Sequence, residues 1–269
     1  EGLQVNGENF PLLVEEPADG VQPAEIIFVC VKNYGLQAAL ADMRPFVAEG
    51  TIIVPLLNGI SATPTLREAF PQAKVLFGIA MGIDARRTVN AVDFTTRGVL
   101  QFGWERNREP YAPEVQLVWD ILSKTPIPLE VGADMERTCW KKWMLNVGYN
   151  QVTAAVDCFI YECTEVPAYF ALTSAAMQEV VELAKARGVD LTEADREETE
   201  RFMAAFPRTA QTSMHQDIKA GRITEVDYFA GIVEEYGRAA GVPTPVNAIL
   251  RQIVHGKEQQ NQLHATAAQ

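Results

Sequence analysis

The 269-residue sequence contains little cysteine or histidine, with four cysteines at positions 30, 139, 158 and 163 and three histidines. No two cysteines are spaced as a CxxC pair, and no histidines accompany them at the spacing of a zinc site. The sequence therefore predicts free thiols and no metal centre. Because free thiols are typical of a reducing compartment, we expect a cytoplasmic protein.

Clusters of positive charge and long apolar runs are also missing. Twenty-three lysines and arginines stand against 35 acidic residues, for a formal net charge of -12, which argues against nucleic acid or an anionic membrane as partner. No apolar run reaches the ~18 residues of a membrane-spanning helix, and the first residues do not resemble a signal peptide. We therefore expect a soluble protein that acts on a small molecule. That molecule can be anionic, because the local field of a pocket can oppose the net charge.

Short apolar runs alternate with amphipathic stretches through the first half of the sequence. The runs at 25–32, 51–59 and 74–82 are continuous and rich in β-branched residues, a pattern typical of parallel strands covered by helices on both faces. Ligands of such sheets bind beyond the carboxyl ends of the strands, where Lys32 and Asn58 fall. Taken alone, a lysine that ends a strand is commonly solvent-exposed, and an Asn-Gly pair is commonly a plain turn.

The periodicity then changes twice. After Gly82, alternating β-prone residues predict antiparallel strands or a hairpin, followed by a helix at 112–124. From residue 135 onward we predict helices at 135–155, 167–187, 192–205, 212–220, 226–240 and 244–254. The expected fold class is α/β plus all-α.

The corresponding domain organisation has three parts. We expect an incomplete Rossmann-like parallel-sheet domain at residues 1–130, a helical domain at 131–256, and a frayed polar tail at 257–269.

The predicted helix at 135–155 carries Lys142, Asn146 and Asn150 at successive i, i+4 positions. Residues four apart advance only about 40° around an α-helix, so the three side chains form one polar stripe. Such a stripe is more often a solvated face, but here the rest of the helix surface is densely apolar, which favours a cleft. In a cleft, a lysine can bind a carbonyl oxygen and protonate it as negative charge develops.

A second group of polar residues lies at 212–231. Thr224 can cap the helix that follows it, with Asp227 as the acidic partner of a capping box. This explanation gives Ser213 and Glu225 no necessary role, although a serine in the position of Ser213 is more often a plain helix cap.

Four segments in this order and spacing carry a resemblance to a known family: VKNYGLQAAL, LLNGI, WKKWMLNVGYNQVTAAVDC and TSMHQDIKAGRITEVDYFAGIVEEYGRAAGVPTPVN. They resemble the ketopantoate reductases (2-dehydropantoate 2-reductases), which are NADPH-dependent enzymes of pantothenate and coenzyme A biosynthesis. The resemblance extends over residues 20–255. It implies a keto acid as substrate and NADPH as cofactor, and a homodimer is one candidate assembly.

The resemblance also implies roles for the polar residues of the second half. Lys142 corresponds to the general acid that protonates the C2 oxygen of the keto acid as hydride arrives. Asn146 and Asn150 look like ligands for the substrate's hydroxyl and carbonyl groups, Ser213 like a carboxylate ligand, and Glu225 like a partner of the substrate or of the lysine. Hydride addition to a ketone creates an alkoxide, which an ammonium donor stabilises and protonates.

In the first half, the resemblance implies that Asn58 lies beside the nicotinamide and that Lys32 reaches the adenosine phosphate of NADPH. One departure from the family pattern concerns the same cofactor. The sequence contains no GxGxxG loop to hold a pyrophosphate at a helix amino end. Its first residues resemble the part of the family that follows the first β-α-β unit, so that roughly 35 to 45 residues are missing. We expect a fragment of a longer protein rather than a relative that has lost its cofactor.

Two other functions fit parts of the pattern. The chain can be a non-catalytic relic of this fold that acts in assembly or ligand binding. Alternatively, Lys142 can act as a Schiff-base nucleophile, with the carboxamides binding a carbonyl substrate.

Overall fold

A computed structural model describes residues 2–11, 14 and 21–267 of the chain. The chain divides into two compact units. The first unit comprises Glu1–Asn58 and Ala62–Glu136, and the second comprises Gly59–Ser61 and Arg137–Gln269.

All ten strands of the described residues belong to the first unit. In chain order they are β1 (Leu3–Val5), β2 (Glu8–Phe10), β3 (Ile26–Val29), β4 (Ile52–Pro55), β5 (Lys74–Val75), β6 (Phe77–Ile83), β7 (Arg86–Arg87), β8 (Ala91–Asp93), β9 (Arg97–Gly103) and β10 (Leu129–Val131). Three α-helices accompany them: α1 (Leu36–Met43), α2 (Ala62–Ala69) and α3 (Pro113–Leu122).

A parallel sheet with the order β3-β4-β5 forms the part of this unit that the apolar runs predicted. Ile26 pairs with Ile52, and Ile53 with Val75, in register. Apolar side chains of α1 and α2, among them Leu40 and Leu66, pack with these strands into one buried cluster. Burial of apolar surface on the sheet is what holds the helices in place.

The run at 74–82 was predicted as a single parallel strand, and this prediction is wrong for most of its length. Only Lys74–Val75 joins the parallel sheet, whereas β6 pairs antiparallel with β9, and β10 lies parallel to the other side of β9. Gly78 allows this, because a Cβ there would lie 2.6 Å from the carbonyl oxygen of Pro55. The hairpin predicted after Gly82 is present as the antiparallel pair of β7 and β8, and the helix predicted at 112–124 is present as α3.

The hairpin of β7 and β8 belongs to a third, four-stranded sheet with the order β2-β1-β8-β7, and the other two strands of this sheet, β1 and β2, were not predicted. Both are three residues long, too short to show a period in the sequence.

The second unit is helical throughout its described residues. After α4 (Met135–Leu145), which begins in the first unit, come α5 (Gln151–Val156), α6 (Ile160–Glu165), α7 (Pro167–Ala186), α8 (Glu193–Ala204), α9 (Ser213–Lys219), α10 (Ile232–Ala240) and α11 (Pro245–Ala267). Two five-residue π-helical segments interrupt the series: the first π-turn (Asn146–Asn150) and the second π-turn (Asp227–Gly231). None of the described helices is long and apolar enough to cross a membrane.

The predicted helices are present, with three corrections. The helix at 135–155 and the helix at 226–240 each contain a π-turn, and α6 was missed. The last helix does not end at 254, and residues 257–267 of the tail are helical rather than frayed. Asn261 shows why, since its side-chain amide donates to the carbonyl oxygen of Ile218 in α9 at 2.8 Å and ties the end of α11 to the unit.

Candidate active site

The first π-turn changes the geometry of the predicted polar stripe. All five of its residues are buried, and the backbone N–H of Gln151, which follows the turn, donates to the carbonyl oxygen of Gly148. A π-turn closes its hydrogen bonds over five residues rather than four, so Asn146 and Asn150 do not keep the spacing of an α-helix. A side chain at position 148 would be crowded, because a Cβ there would lie 2.5 Å from Cγ of Met177 in α7. The turn therefore packs directly against α7.

Lys142 lies in the last turn of α4 and is half-buried. Burial lowers the pKa of its ammonium group to about 8, against the opposing effects of Cys139 and Glu225. Desolvation penalises the charged form of a lysine, and a nearby carboxylate favours it. With a pKa near the working pH, an ammonium group can release its proton to a developing anion more readily than a free lysine can.

Asn146 and Asn150, one at each end of the π-turn, are both only 5% exposed. Nδ2 of Asn150 donates to Oγ of Ser213 at 3.3 Å. Nδ2 of Asn146 has no hydrogen-bond partner among the described residues. A buried amide without a partner costs about 1–3 kcal/mol, so this donor is suited to a ligand oxygen that the protein itself does not supply.

Ser213 opens α9 but does not cap it. The cap is Thr212, whose Oγ1 accepts from the amide of His215 at 3.3 Å. Thr212 is itself held by Thr153 of α5, with the two hydroxyl oxygens 2.7 Å apart. The plain-cap explanation of Ser213 is therefore wrong. Its hydroxyl is exposed and accepts a hydrogen bond from Asn150.

Glu225 is buried, at 4% exposure, and it is a source of negative charge that raises the pKa of Lys142. Its neighbour Thr224 donates from both its amide and its hydroxyl to Oε1 of Glu258 in α11, each at 2.7 Å. Oγ1 of Thr224 accepts from the backbone amide of Val226 at 3.3 Å, so Thr224 does cap the following helix as predicted. Asp227 is not the acidic partner of a capping box, because it instead accepts from Arg251 and His255 of α11. Hydrogen bonds to α11 therefore hold the chain both before and after Glu225.

Lys32 and Asn58 belong to the first unit, where they follow β3 and β4. The two loops are joined by Asn33, whose Nδ2 donates to the backbone oxygen of Asn58 at 2.8 Å. Asn33 is only 2% exposed. Asn33 was not among the predicted site residues. The one feature of the sequence that pointed to it is that a polar residue directly follows Lys32.

The residues of this sheet edge suit part of a pyridine nucleotide. Lys32 offers an ammonium group for a phosphate, and Asn58 offers an amide for the carboxamide of a nicotinamide. Asn33 fixes the loop that carries Asn58. The sequence contains no GxGxxG loop for the pyrophosphate of such a cofactor.

The fold and the candidate site fit one class of protein, an oxidoreductase whose parallel sheet is followed by a helical unit that carries the polar groups. Comparison with known families makes this specific. The family model described as "Ketopantoate reductase PanE/ApbA" matches residues 1–106, and the model described as "Ketopantoate reductase PanE/ApbA C terminal" matches residues 134–258. The chain belongs to the ketopantoate reductase family, whose members are pyridine-nucleotide-dependent reductases of keto acids.

Individual relatives support this assignment. The 2-dehydropantoate 2-reductase of Streptococcus pyogenes serotype M6 is 26% identical over 264 residues, covering 96% of this chain and 84% of the relative. A dimeric ketopantoate reductase from Staphylococcus aureus has the same fold, with a TM-score of 0.81, 18% identity, and coverage of 96% of this chain and 86% of that one. The structure of D-mandelate dehydrogenase with NADH and anilino(oxo)acetate gives a TM-score of 0.84 at 22% identity, and the match covers 97% of this chain and 86% of that one.

Proposed function

We propose that this chain reduces the C2 ketone of 2-dehydropantoate to the alcohol of pantoate, with NADPH as hydride donor. The observation that carries the proposal is Lys142, an ammonium group whose pKa is lowered to about 8 beside a buried carboxylate, Glu225. A keto acid reductase needs this combination, because the ketone oxygen must gain a proton while the carbon gains hydride.

In this proposal, Lys142 hydrogen-bonds the ketone oxygen and transfers one proton from Nζ to it as the alkoxide forms. The reduced nicotinamide, when bound, supplies the hydride to C2. Lys142 ends the step as a neutral amine and regains its proton from solvent. Glu225 favours the ammonium form before the step, because its negative charge raises the lysine pKa against the effect of burial.

The carboxamides and Ser213 hold the keto acid in the same proposal. The Nδ2 of Asn146, which lacks a hydrogen-bond partner among the described residues, donates to a hydroxyl or carbonyl oxygen of the substrate. Asn150 reaches the same molecule and is oriented by its bond to Ser213, whose exposed hydroxyl binds the substrate carboxylate. Each of these groups has hydrogen-bonding capacity left for a ligand.

For the cofactor, we propose NADPH rather than NADH. Lys32 supplies the positive charge that a 2′-phosphate requires, and Asn58 lies beside the nicotinamide. We also propose a cytoplasmic homodimer. A dimeric ketopantoate reductase with the same fold supports the assembly, and the free thiols of the chain suit a reducing compartment.

The decisive experiment supplies the purified full-length protein with 2-dehydropantoate and NADPH and follows loss of NADPH absorbance, with pantoate identified by mass spectrometry. Stoichiometric formation of pantoate is expected. Absence of both NADPH binding and turnover would favour the non-catalytic relic. An adduct trapped on Lys142 by borohydride would favour the Schiff-base alternative, in which a lysine of lowered pKa acts as a nucleophile. Family membership favours neither alternative.

A further inference from the structure

Both π-turns of the second unit lie in segments that carry candidate substrate residues. The first π-turn begins and ends with Asn146 and Asn150, and the second begins two residues after Glu225. Such turns make up well under 1% of residues in globular proteins and are frequently found at functional sites. A π-turn also disturbs the ordinary α-helical ladder of backbone bonds, so its peptide groups need other partners.

One side chain supplies partners to both turns. Gln151 is completely buried. Its Nε2 donates to the backbone oxygen of Val147 in the first π-turn at 2.6 Å, and its Oε1 accepts from the amide of Ala230 in the second π-turn at 2.9 Å. A single carboxamide therefore connects the two turns directly.

The orientation of this carboxamide is itself fixed. Nε2 of Gln151 also donates to Oδ1 of Asn247 at 2.8 Å. Asn247 cannot rotate its amide freely, because its Nδ2 donates to Glu179 at 2.7 Å and to the backbone oxygen of Ala176 at 3.1 Å. Glu179 in turn accepts from the amides of Val246 and Asn247 at the start of α11. This network leaves Gln151 one orientation that satisfies both turns.

We propose that Gln151 is a positioning residue for keto acid reduction. It fixes the position of the two π-turns relative to each other, so that Asn146, Asn150 and Glu225 contact the same substrate molecule. The proposal rests on the proposed function for its catalytic consequence, but the connection between the turns does not depend on it. No apolar side chain can replace Gln151, since the Val147 oxygen and the Ala230 amide would both lose a buried partner.

The test is Gln151→Met, which keeps the length of the side chain and removes both hydrogen-bonding functions. For the keto acid, kcat/KM is expected to fall about 100-fold, the size of effect that a small misplacement of catalytic groups produces. The dissociation constant of NADPH, measured by fluorescence titration, should stay within twofold. Unchanged kcat/KM in folded Gln151→Met protein would overturn the proposal.

Thr199→Val is the matched control. Thr199 is a buried α8 residue whose hydroxyl donates to the backbone oxygen of Asp195 at 2.8 Å. The change removes a buried side-chain bond to a carbonyl four residues earlier, and this bond involves no residue of either π-turn. Its kcat/KM should equal that of the unmodified protein. An equal loss of kcat/KM in Thr199→Val would show that any lost buried bond has this effect, and would also overturn the proposal.

Hydrogen–deuterium exchange gives a readout that needs no turnover. In the unmodified protein, the amides of both π-turns are expected to exchange together, with the same protection, because one side chain holds them. In Gln151→Met both should lose protection, whereas α8 should not. Independent exchange of the two turns in the unmodified protein would refute the connection even if Gln151→Met failed to fold. Absence of turnover with every keto acid would refute the proposed function alone.

Discussion

The two units hold their candidate site residues in different ways. In the first unit, Lys32 and Asn58 follow two parallel strands, and Asn33 provides a side-chain bond between their loops. In the second unit, the candidate residues lie on or beside π-turns, and a network of buried side chains orients them. Formation of the sheet is enough to place the residues at a strand end, whereas a π-turn depends on hydrogen bonds from particular side chains. The second unit should therefore be the more sensitive to single substitutions.

The largest effect is expected from Lys142→Ala. Loss of a general acid lowers kcat about 100- to 10,000-fold, and NADPH affinity should stay the same. Steady-state kinetics and a binding titration separate the two quantities. Lys141→Ala is the control, because the neighbouring Lys141 pairs with Glu198 at 2.7 Å and is assigned no catalytic role. Similar losses in both variants would contradict the assignment of Lys142.

A smaller loss is expected from Glu225→Gln. Removing one member of a buried charged pair costs about 2–5 kcal/mol, and we expect it chiefly as a raised KM for the keto acid. The pKa of Lys142 should also fall further, because Glu225 raises it. An unchanged KM would remove Glu225 from the substrate site.

In the first unit, Lys32→Ala should weaken NADPH binding about tenfold, as expected for one charge-assisted bond to a phosphate. Binding of NADH and the KM for the keto acid should not change. Titration with both nucleotides tests this directly. Equal weakening for NADH would mean that Lys32 does not contact the 2′-phosphate.

The smallest effect on activity is expected from a substitution that acts on stability. Gly148→Ala would place a Cβ against Cγ of Met177 and should lower the free energy of unfolding by about 1–3 kcal/mol. Gly256→Ala in α11 is the counterpart, because no atom lies within 4 Å of its added Cβ. A helix-interior alanine there should stabilise the protein by up to about 1 kcal/mol. Urea denaturation measures both, and equal effects would contradict close packing at the first π-turn.

Much of the fold could be predicted from the sequence, because apolar runs and helical periods are local signals. The parallel strands β3 and β4 and the main helices follow from them. The π-turns could not be predicted, since Asn146–Asn150 continues a helical period in the sequence and the bond that connects the two turns joins residues far apart, Gln151 and Ala230. The candidate residues came mainly from a family resemblance, and their roles stay predictions. Asn33 and Gln151 were missed because each acts through a partner far away in the sequence.

The pH dependence of kcat/KM for keto acid reduction tests the central assignment most directly. Lys142 donates its proton only in the ammonium form, and its pKa is lowered to about 8. The rate should therefore be constant below that pH and fall tenfold for each further pH unit above it. Lys142→Ala should keep a small residual rate without this decline. A profile that stays flat to pH values near the ordinary lysine pKa of about 10.4, or the same decline in Lys142→Ala, would contradict the role of Lys142 as proton donor.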